Sequence, residues 1–250
     1  MRHVGDLLAG LELPCAAGRD PTDLLDGALL HDLGADLPAG HCHLWGGPPG
    51  AGKTAFLLSL VCGAARQGRR AVFATYNLPA ETLANRLLGM TTGLDAAAIA
   101  TGRLDLEEKK LAALGRQALT RLPIFVLEAR GIAVPSLEDR LVRMPFRAEV
   151  MAIDYLQAVI REEGKDLGAL VRDLSSLASR LHVAVIATLQ PGAQAREVGN
   201  LVDRAGWIAP ADTSGLRRAE VIQNRYGERP SLGLRLDEVT GILSRLPNPT

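Results

Sequence analysis

The residues Gly47-Pro48-Pro49-Gly50-Ala51-Gly52-Lys53-Thr54 stand between a short apolar segment, His43–Trp45, and an apolar stretch from Lys53 to about Arg66. They match the pattern G-x-x-x-x-G-K-[ST] completely, in the strand–loop–helix context of a phosphate-binding loop. The glycines let backbone N–H groups turn inward around phosphate oxygens, and the following helix adds the positive end of its dipole. The alternative is a glycine-rich turn that binds nothing. We predict a nucleotide-binding loop here, in an α/β fold.

This loop chemistry requires a cation, a hydroxyl group and a second acidic element. Lys53 is expected to neutralise the β- and γ-phosphates of ATP, and the Thr54 hydroxyl to bind Mg²⁺. The segment Val150–Asp154 predicts a buried strand that delivers Asp154 to the carboxyl edge of a parallel sheet. There the carboxylate can hold Mg²⁺, through a water molecule. An aspartate that ends a strand is often only a cap, but here it follows a complete phosphate-binding loop.

The overall composition is that of an ordinary globular protein. Of the 250 residues, 47% are hydrophobic, and Lys+Arg and Asp+Glu are both 28, so the formal net charge is zero. A protein that binds nucleic acid through its overall field is basic, so this chain would need a local basic patch or a ring that concentrates basic loops. The sequence contains neither an apolar run of about 18 residues nor a signal-peptide core. We therefore expect a cytoplasmic protein with no membrane partner.

The cysteines and a histidine pair invite a metal-site interpretation that their spacing does not favour. Cys15, Cys42 and Cys62 lack a metal-ligand spacing and are expected to be buried thiols in a reducing cytosol. His41 and His43 flank Cys42 where residues alternate along a strand, so both imidazoles would share one face. Packing of a strand is the favoured account of these histidines.

Short apolar runs alternate with helical periodicity along the chain, which is typical of a mostly parallel sheet covered by helices. The predicted strands are His43–Trp45, Ala71–Tyr76, Ile124–Leu127, Val150–Asp154, Val183–Leu189, Ala219–Gln223 and Leu232–Leu236. The predicted helices are Val4–Leu11, 53–66, Ala80–Leu88, Leu106–Leu122, Leu137–Met144 and Leu167–Leu181. The last two strands predict an antiparallel hairpin. We divide the chain into a short helix and linker, residues 1–20, and one domain, residues 21–250.

Several motifs, in the same order, give the chain a specific resemblance to a known family. Asp154-Tyr155-Leu156-Gln157 resembles the second acidic motif of the RecA-type motor domain in the DnaB family of bacterial replicative helicases. The segment 79–88 is similar to the family's S-A-E-x-L-A-x-R helix, and 99–105 to its I-x-T-G-x-L segment. The segment 184–190 resembles its strand ending in S-Q, and the hairpin Glu220–Leu236 resembles its arginine-finger segment. The resemblance implies a RecA-like P-loop NTPase fold with a C-terminal antiparallel hairpin.

Two further site residues follow from the resemblance. Gln190 is expected to sense the γ-phosphate. Arg225 is expected to be an arginine finger that reaches the ATP of a neighbouring subunit and stabilises charge on the transferred phosphoryl group. A finger that acts in trans implies a homo-oligomeric ring with a head-to-tail arrangement. The alternative for Arg225 is an exposed charge on a hairpin.

The chain departs from the family pattern at two chemically important positions. Where the family has its catalytic glutamate, this sequence has Asn77, whose amide can orient a water molecule but cannot accept its proton. The alternative role for Asn77 is a helix N-cap before Pro79. The basic residue two positions before the finger is replaced by Gln223, so one positive charge is missing.

Two other departures concern the rest of the family's machinery. We expect the chain to lack the family's amino-terminal domain, with Val4–Leu11 as the segment that could be a remnant of its linker helix. The two loops expected to face DNA, Arg161–Asp166 and Pro191–Ala205, are short and balanced in charge. Balanced loops release few counterions, so binding of single-stranded DNA is expected to be weak.

Two functions from different classes follow from these observations. The first is a DnaB-like ATPase that couples ATP hydrolysis to ring assembly and single-stranded DNA handling in DNA replication or related DNA metabolism. The second is a degenerate ATP-binding protein with weak hydrolysis that acts through protein partners, which the sequence does not identify. Asn77 and Gln223 favour the second function. Lys53, Asp154, Gln190 and Arg225 favour the first. A RadA- or KaiC-like member of the wider superfamily fits the Asp154–Gln157 motif less well.

Overall fold

The structure is a computed structural model that describes residues 1–8, 37–190 and 197–246. Its strands are β1 (Arg2–His3), β2 (Cys42–Gly46), β3 (Ala71–Thr75), β4 (Ile124–Glu128), β5 (Val150–Asp154), β6 (Ala184–Leu189), β7 (Arg204–Ile208), β8 (Leu216–Asn224), β9 (Ser231–Leu236) and β10 (Leu243–Arg245). Its helices are α1 (Val4–Leu7), α2 (Lys53–Arg66), α3 (Ala80–Thr92), α4 (Ala96–Thr101), α5 (Leu106–Thr120), α6 (Val134–Val142), α7 (Leu156–Glu163) and α8 (Leu167–Leu181). The predicted α/β class is confirmed.

A single sheet carries all the strands in the order β1-β4-β3-β5-β6-β2-β7-β8-β9-β10. The central pairs, from β4 to β7, are parallel, and the outer pairs are antiparallel. Strands β2, β3, β5 and β6 are buried along their whole length. Such strands need helices on both faces, which explains their continuous apolar sequences. The carboxyl ends of these parallel strands meet at one edge of the sheet.

Two hydrophobic cores lie on opposite faces of the sheet, because successive side chains of a strand point in opposite directions. On one face, Trp45 and Phe73 pack with helices α2, α3 and α5, and the ring centroid of Trp45 lies 4.6 Å from that of Phe56. On the other face, Leu44 and Val72 pack with helices α6, α7 and α8. The alternation inside each strand therefore decides which helix each residue meets.

The predicted hairpin of β8 and β9 is confirmed, but strand β7 beside it was not predicted. The pair β2–β7 places Trp45 opposite Gly206 and Gly46 opposite Trp207. A Cβ atom at Gly206 would lie 2.3 Å from the Trp45 ring, and one at Gly46 would lie 2.6 Å from the Trp207 ring. Each tryptophan thus occupies the space over the glycine of the other strand. Glycine weakens a strand pattern in the sequence, and here only the cross-strand partner explains it.

The described amino-terminal residues belong to the same sheet. Strand β1 pairs antiparallel with β4, and the side chains of Val4 and Leu8 are buried in the core. Helix α1 ends at Leu7, and the rest of the predicted segment, 9–11, lies outside the described residues. The proposed boundary between residues 20 and 21 also lies outside them.

Helices α4 and α7 were not predicted, and α7 corrects one interpretation of the sequence. Arg161 belongs to α7, which ends at Glu163, and Gly164 follows it in a left-handed conformation with φ 64°. The segment Arg161–Asp166 is therefore the end of a helix and a tight turn rather than an open loop. Among the helices in the described part of the chain, none combines the length and apolar character needed to cross a membrane.

The cysteine and histidine predictions can be examined for four residues. Cys42 and Cys62 are buried free thiols, and burial raises the pKa of each to about 12. Cys15 lies outside the described residues. The imidazoles of His41 and His43 stack with ring centroids 6.4 Å apart, so they share a face as predicted. Within the described ranges, no group of three or more His, Cys, Asp or Glu side chains could hold a metal ion.

Candidate nucleotide-binding site

A cleft of about 790 Å³ opens at the carboxyl edge of the parallel strands. Five residues of the predicted phosphate-binding loop line it, namely Pro49, Gly50, Gly52, Lys53 and Thr54, and so do Asn77, Asp154 and Gln190. Gly47, Pro48 and Ala51 do not line it: the Gly47 and Pro48 carbonyls accept hydrogen bonds from Lys53, and Ala51 is buried. The predicted site residues that do not line the cleft are therefore these three and Arg225.

Three positions of the loop require glycine, for two different structural reasons. Gly50 and Gly52 have φ of 77° and 87°, a left-handed conformation that favours glycine. A Cβ atom at Gly47 would lie 2.7 Å from the carbonyl oxygen of Ile208 in β7. Helix α2 begins at Lys53 with Gly52 as its N-cap, and no side chain caps it. The first N–H groups of the helix are thus open to an anion.

The Lys53 ammonium group occupies the mouth of the loop. Its Nζ atom donates to the carbonyl oxygens of Gly47 and Pro48, both at 2.8 Å. Burial lowers the pKa of Lys53, and the nearby Asp154 carboxylate opposes that shift. Two neutral carbonyls compensate a buried cation only partly, so a phosphate group would be a better partner. The donor set of the loop therefore fits a nucleotide polyphosphate.

The Asp154 carboxylate is held between two threonine hydroxyls. Thr54 Oγ1 donates to Asp154 Oδ2 at 2.7 Å, and Thr188 Oγ1 donates to Asp154 Oδ1 at 2.6 Å. Thr188 lies on β6, the strand between β2 and β5, and its side chain is buried. Oxygen ligands of this kind suit Mg²⁺, which completes its shell with phosphate oxygens and water. Sequence reasoning missed Thr188 because its role depends on the strand order.

Gln190 is held at the edge of the cleft by Gln157, the last residue of the Asp154–Gln157 motif. Gln157 Oε1 accepts a hydrogen bond from the Gln190 backbone N–H at 3.0 Å. Gln157 Nε2 donates to the Gln190 carbonyl oxygen at 2.9 Å. A side-chain amide that pairs with both backbone groups of one residue fixes the end of β6. The motif therefore contains a positioning residue that the sequence did not assign.

Asn77 lines the cleft, and its alternative role as a helix cap is wrong. Helix α3 begins at Ala80, its N-cap is Pro79, and no side chain of the N-cap bonds to it. The free N–H of Ala80 is instead accepted by Glu128 Oε1 at 2.8 Å, from the end of the neighbouring strand β4. Glu128 takes the capping position, which leaves the Asn77 amide at the cleft.

The carboxylates of the described cleft residues are all engaged in the protein. Asp95 caps α4 through the Ala97 N–H, and Asp237 accepts the N–H groups of Val239 and Thr240. Glu238 pairs with Arg217, and Asp154 accepts the two threonine hydroxyls. Glu81, a candidate base one helical turn beyond Asn77, pairs with Arg2 and does not line the cleft. Each carboxylate among the described residues that line the cleft therefore already has a hydrogen-bond or ion-pair partner in the protein.

A buried arginine beside the phosphate-binding loop was missed by sequence reasoning. The Arg217 side chain is 4% exposed, and its guanidinium lies 3.0 Å from Glu238 Oε1 and 3.4 Å from the Gly50 carbonyl oxygen. Glu238 is 78% exposed and lines the cleft. Arg217 therefore joins the phosphate-binding loop to the β9–β10 turn. In the sequence it is one of two consecutive arginines in a strand, and no motif distinguishes it.

Arg225 lies at the opposite edge of the sheet from the cleft. Its backbone N–H donates to the Asp203 carbonyl oxygen at 3.0 Å, and the Asp203 N–H donates to the Cys42 carbonyl oxygen at 3.0 Å. Cys42 begins β2, whereas the phosphate-binding loop follows the end of this five-residue strand, about 16 Å away. The exposed Arg225 guanidinium donates to the Asn200 carbonyl oxygen at 2.6 Å. Arg225 is therefore remote from the cleft of its own chain.

The basic residues expected to face DNA are mostly engaged or buried. Lys165 pairs with Glu163 and Asp173, and the bond to Asp173 is the main cause that raises its pKa. Arg161 donates to the Tyr155 hydroxyl. Arg204 is wrongly placed by the sequence interpretation, because it begins β7 and its side chain is buried. Arg196 lies outside the described residues.

A glycine loop between β2 and α2, with an acidic residue two strands away at the same sheet edge, defines a P-loop NTPase. The parallel centre and the antiparallel strands after β7 make the fold RecA-like. The chain belongs to the family of the DnaB-like helicase C terminal domain, whose model matches residues 30–200. This confirms the resemblance that the motifs indicated.

Curated relatives resemble part of the chain. The replicative DNA helicase DnaB of Rickettsia felis is 26% identical over 162 residues, which cover 58% of this chain and 33% of that protein. The probable plasmid replicative DNA helicase of Chlamydia trachomatis serovar L2 is 23% identical over 180 residues, which cover 69% of this chain and 40% of that protein. The chain thus spans well under half the length of these relatives.

Solved structures share the fold. The ATPase domain of G40P superposes with a TM-score of 0.73 at 17% identity, over 84% of this chain and 86% of that chain. A DnaB-like replicative helicase, from a structure that concerns its interactions with primase, superposes with a TM-score of 0.73 at 16% identity. That match covers 84% of this chain and 58% of that chain. At such identity, the likeness establishes the RecA-like fold alone.

Proposed function

We propose that the chain is an ATPase motor domain of the DnaB-like type, which binds Mg-ATP, hydrolyses it slowly and assembles into a head-to-tail ring that handles single-stranded DNA. The observation that carries the proposal is the placement of Lys53, Thr54, Asp154 and Gln190 in one cleft. The family supports the same activity, since its curated relatives are replicative DNA helicases.

ATP binding follows from the donors of the cleft. Lys53 would exchange its two carbonyl partners for β- and γ-phosphate oxygens, and the first N–H groups of α2 would surround the phosphates. Thr54 and Asp154 would hold Mg²⁺, which neutralises negative charge on the phosphates. Gln190 would stand beside the γ-phosphate, fixed by its backbone bonds to Gln157.

Hydrolysis is expected to be slow because an amide, Asn77, stands where the family has its catalytic glutamate, and the carboxylates among the described cleft residues already have partners in the protein. The attacking water must lose a proton as its oxygen bonds to the γ-phosphorus and the bond to the bridging oxygen breaks. The Asn77 amide can orient the water but cannot take the proton. Most of the catalysis of phosphoryl transfer is positioning and charge stabilisation, so measurable turnover is expected to remain.

Assembly is supported by the remote position of Arg225. An exposed guanidinium on a hairpin tip, at the sheet edge away from its own cleft, suits contact with a second copy. In a head-to-tail ring, each tip would face the cleft of the next subunit. Each nucleotide-binding site would then contain residues of two subunits, so ATP turnover would depend on assembly.

Binding of single-stranded DNA is expected to be weak. The buried Arg204 and the paired Lys165 offer little free positive charge. A ring would repeat Arg161 around one channel, which multiplies a small charge per subunit. The affinity should therefore depend steeply on salt once the ring has formed.

The test is a steady-state ATPase and ATP-binding comparison of wild type, Lys53→Ala and Lys110→Ala, with and without single-stranded DNA. Lys110→Ala is the matched control, since Lys110 is an exposed lysine that pairs with Glu107 on α5. We expect loss of ATP binding in Lys53→Ala and wild-type binding in Lys110→Ala. Unchanged ATP affinity in Lys53→Ala would overturn the site.

A second function is favoured by Asn77 and by the engaged carboxylates of the cleft. In it, the chain binds ATP with little hydrolysis and acts through protein partners. Normal Mg-ATP binding without detectable turnover, with or without single-stranded DNA, would favour this function over the first.

A further inference from the structure

The hairpin tip that carries Arg225 is attached to the start of β2 by a small cluster, which we call the tip brace, made of His41, Asp203 and Tyr226. The Tyr226 hydroxyl donates to Asp203 Oδ1 at 3.1 Å, and the Tyr226 ring centroid lies 4.8 Å from that of His41. The Arg225 N–H donates to the carbonyl oxygen of the same Asp203 at 3.0 Å. Tyr226, the residue after Arg225, thus hydrogen-bonds to Asp203, which also holds the Arg225 backbone.

Asp203 is itself fixed to the core. Its Oδ2 atom accepts the Cys42 N–H at 2.8 Å, while its own N–H donates to the Cys42 carbonyl oxygen at 3.0 Å. Cys42 is buried in β2, whose far end leads into the phosphate-binding loop. The carboxylate of Asp203 therefore bridges a rigid central strand and an exposed hairpin tip.

Core packing does not explain Tyr226. The residue is 66% exposed, so its ring contributes little to the buried apolar surface. The hydrogen bond to Asp203 raises the pKa of Tyr226, so the hydroxyl stays a donor at neutral pH. An exposed tip with a polar anchor to the central strand would keep one backbone geometry at Arg225. A long side chain that starts from a fixed backbone loses less conformational entropy when it engages a target.

We propose that Tyr226, acting through Asp203 and supported by His41, is a positioning residue that holds the Arg225 backbone in the orientation from which its guanidinium reaches the nucleotide of a neighbouring subunit. The proposal rests on the proposed function of Arg225 as a finger in trans. Tyr226 positions the finger and does not itself touch the nucleotide.

The first measurement compares Tyr226→Phe with Ser214→Ala in ATP turnover and ATP binding. Ser214→Ala is a matched control because it also removes an exposed hydroxyl that donates to an aspartate, Asp212. Ser214 lies just before the first residue of β8, whereas Tyr226 follows the last. One net hydrogen bond corresponds to roughly a 2- to 10-fold effect. We expect kcat to fall by that factor in Tyr226→Phe, with ATP affinity unchanged, and to stay at the wild-type value in Ser214→Ala. His41→Ala, which removes the ring contact, should lower kcat in the same direction.

The decisive measurement uses mixed rings of Lys53→Ala subunits, which still supply a finger, and Arg225→Ala subunits, which still supply a nucleotide site. Tyr226→Phe is then added to one kind of subunit at a time. On the finger-supplying Lys53→Ala subunits it should lower turnover about 2- to 10-fold. On the Arg225→Ala subunits, the same substitution should change nothing.

The outcomes separate the brace from the finger. If mixtures turn over ATP but Tyr226→Phe acts equally on both kinds of subunit, or on neither, the brace is overturned while the trans finger stands. If mixtures show no turnover above either variant alone, the trans finger is overturned, and the brace with it. A general loss of folding would appear as equal effects on both sides, so it counts against the brace.

Discussion

Thr188 donates a 2.6 Å hydrogen bond to Oδ1 of Asp154, and Thr54 donates to the other oxygen of the same carboxylate. The strand between β2 and β5 thus orients the acidic group on which the proposed Mg²⁺ site depends. Partners that orient a metal ligand contribute to metal affinity without touching the metal.

Thr188→Val should lower the affinity of the ATP-binding site for Mg²⁺, because Val keeps the shape but removes the orienting hydroxyl. We expect roughly a 10-fold higher Mg²⁺ concentration for half-maximal ATP binding. A titration of Mg²⁺ at fixed ATP concentration measures this half-maximal value. Thr91→Val is the control, since Thr91 is also a buried threonine, and its hydroxyl donates to Leu87 within α3. Equal Mg²⁺ dependence in both variants would contradict the role of Thr188.

Asn77→Glu should raise kcat and leave ATP affinity nearly unchanged. The glutamate would supply a proton acceptor where the wild-type chain has an amide, and general-base catalysis is worth about 10²- to 10⁴-fold. Steady-state turnover and equilibrium ATP binding measure the two effects separately. Asn77→Gln controls for side-chain length without a carboxylate. A wild-type kcat already at the level of ordinary ATPases, with Asn77→Glu neutral or harmful, would show that another group acts as the base.

Arg217 and Glu238 should respond unequally to substitution. Arg217→Met removes the buried charge and leaves Glu238 in solvent, so the loss of stability should be small. The phosphate-binding loop loses its contact at Gly50, so ATP affinity should fall severalfold. Glu238→Gln instead leaves a buried guanidinium without its ion-pair partner, which costs about 1–3 kcal/mol of unfolding free energy. Urea unfolding and ATP titration measure both effects. A larger loss of stability in Arg217→Met than in Glu238→Gln would contradict this account of the ion pair.

Glu128→Ala should destabilise the fold by about 0.5–2 kcal/mol, the usual cost of losing a helix cap. Its carboxylate accepts the free N–H at the start of α3. Glu81→Ala on the same helix is the control, because an exposed ion pair such as Arg2–Glu81 contributes about 0–1 kcal/mol. Thermal unfolding of the two variants compares them. A larger loss in Glu81→Ala than in Glu128→Ala would exclude the capping role.

Acid should destabilise the protein through His43. Burial lowers the pKa of His43 to about 3, from an ordinary value near 6.5. Between these values the unfolded chain binds the proton and the folded chain does not, so stability falls as pH decreases below about 6.5. At pH 5 the loss relative to pH 7 is on the order of 2 kcal/mol, and His43→Leu should abolish it. Urea unfolding of wild type and His43→Leu at pH 5 and pH 7 tests this prediction. The same pH dependence in His43→Leu would assign it to other groups.

The sequence by itself determined the class of fold and the phosphate-binding half of the site. A loop with glycines at left-handed positions, between a strand and a helix, is a local pattern whose geometry depends on adjacent residues. The continuous apolar runs likewise predict buried parallel strands, and Asp154 at the end of one of them reaches the common carboxyl edge. These features required no knowledge of distant contacts.

Only the tertiary structure decided which side chains complete the site. Thr188 reaches Asp154, Arg217 reaches Gly50, and Glu128 reaches Ala80 from residues far away in the sequence. Strand β7 was hidden for the same reason, because Gly206 is explained by Trp45 on the neighbouring strand. Periodicity records which face of its own element a residue occupies, but it carries no information about the partner across that face. Strand order and register supply that partner, and they arise from the packing of the whole sheet.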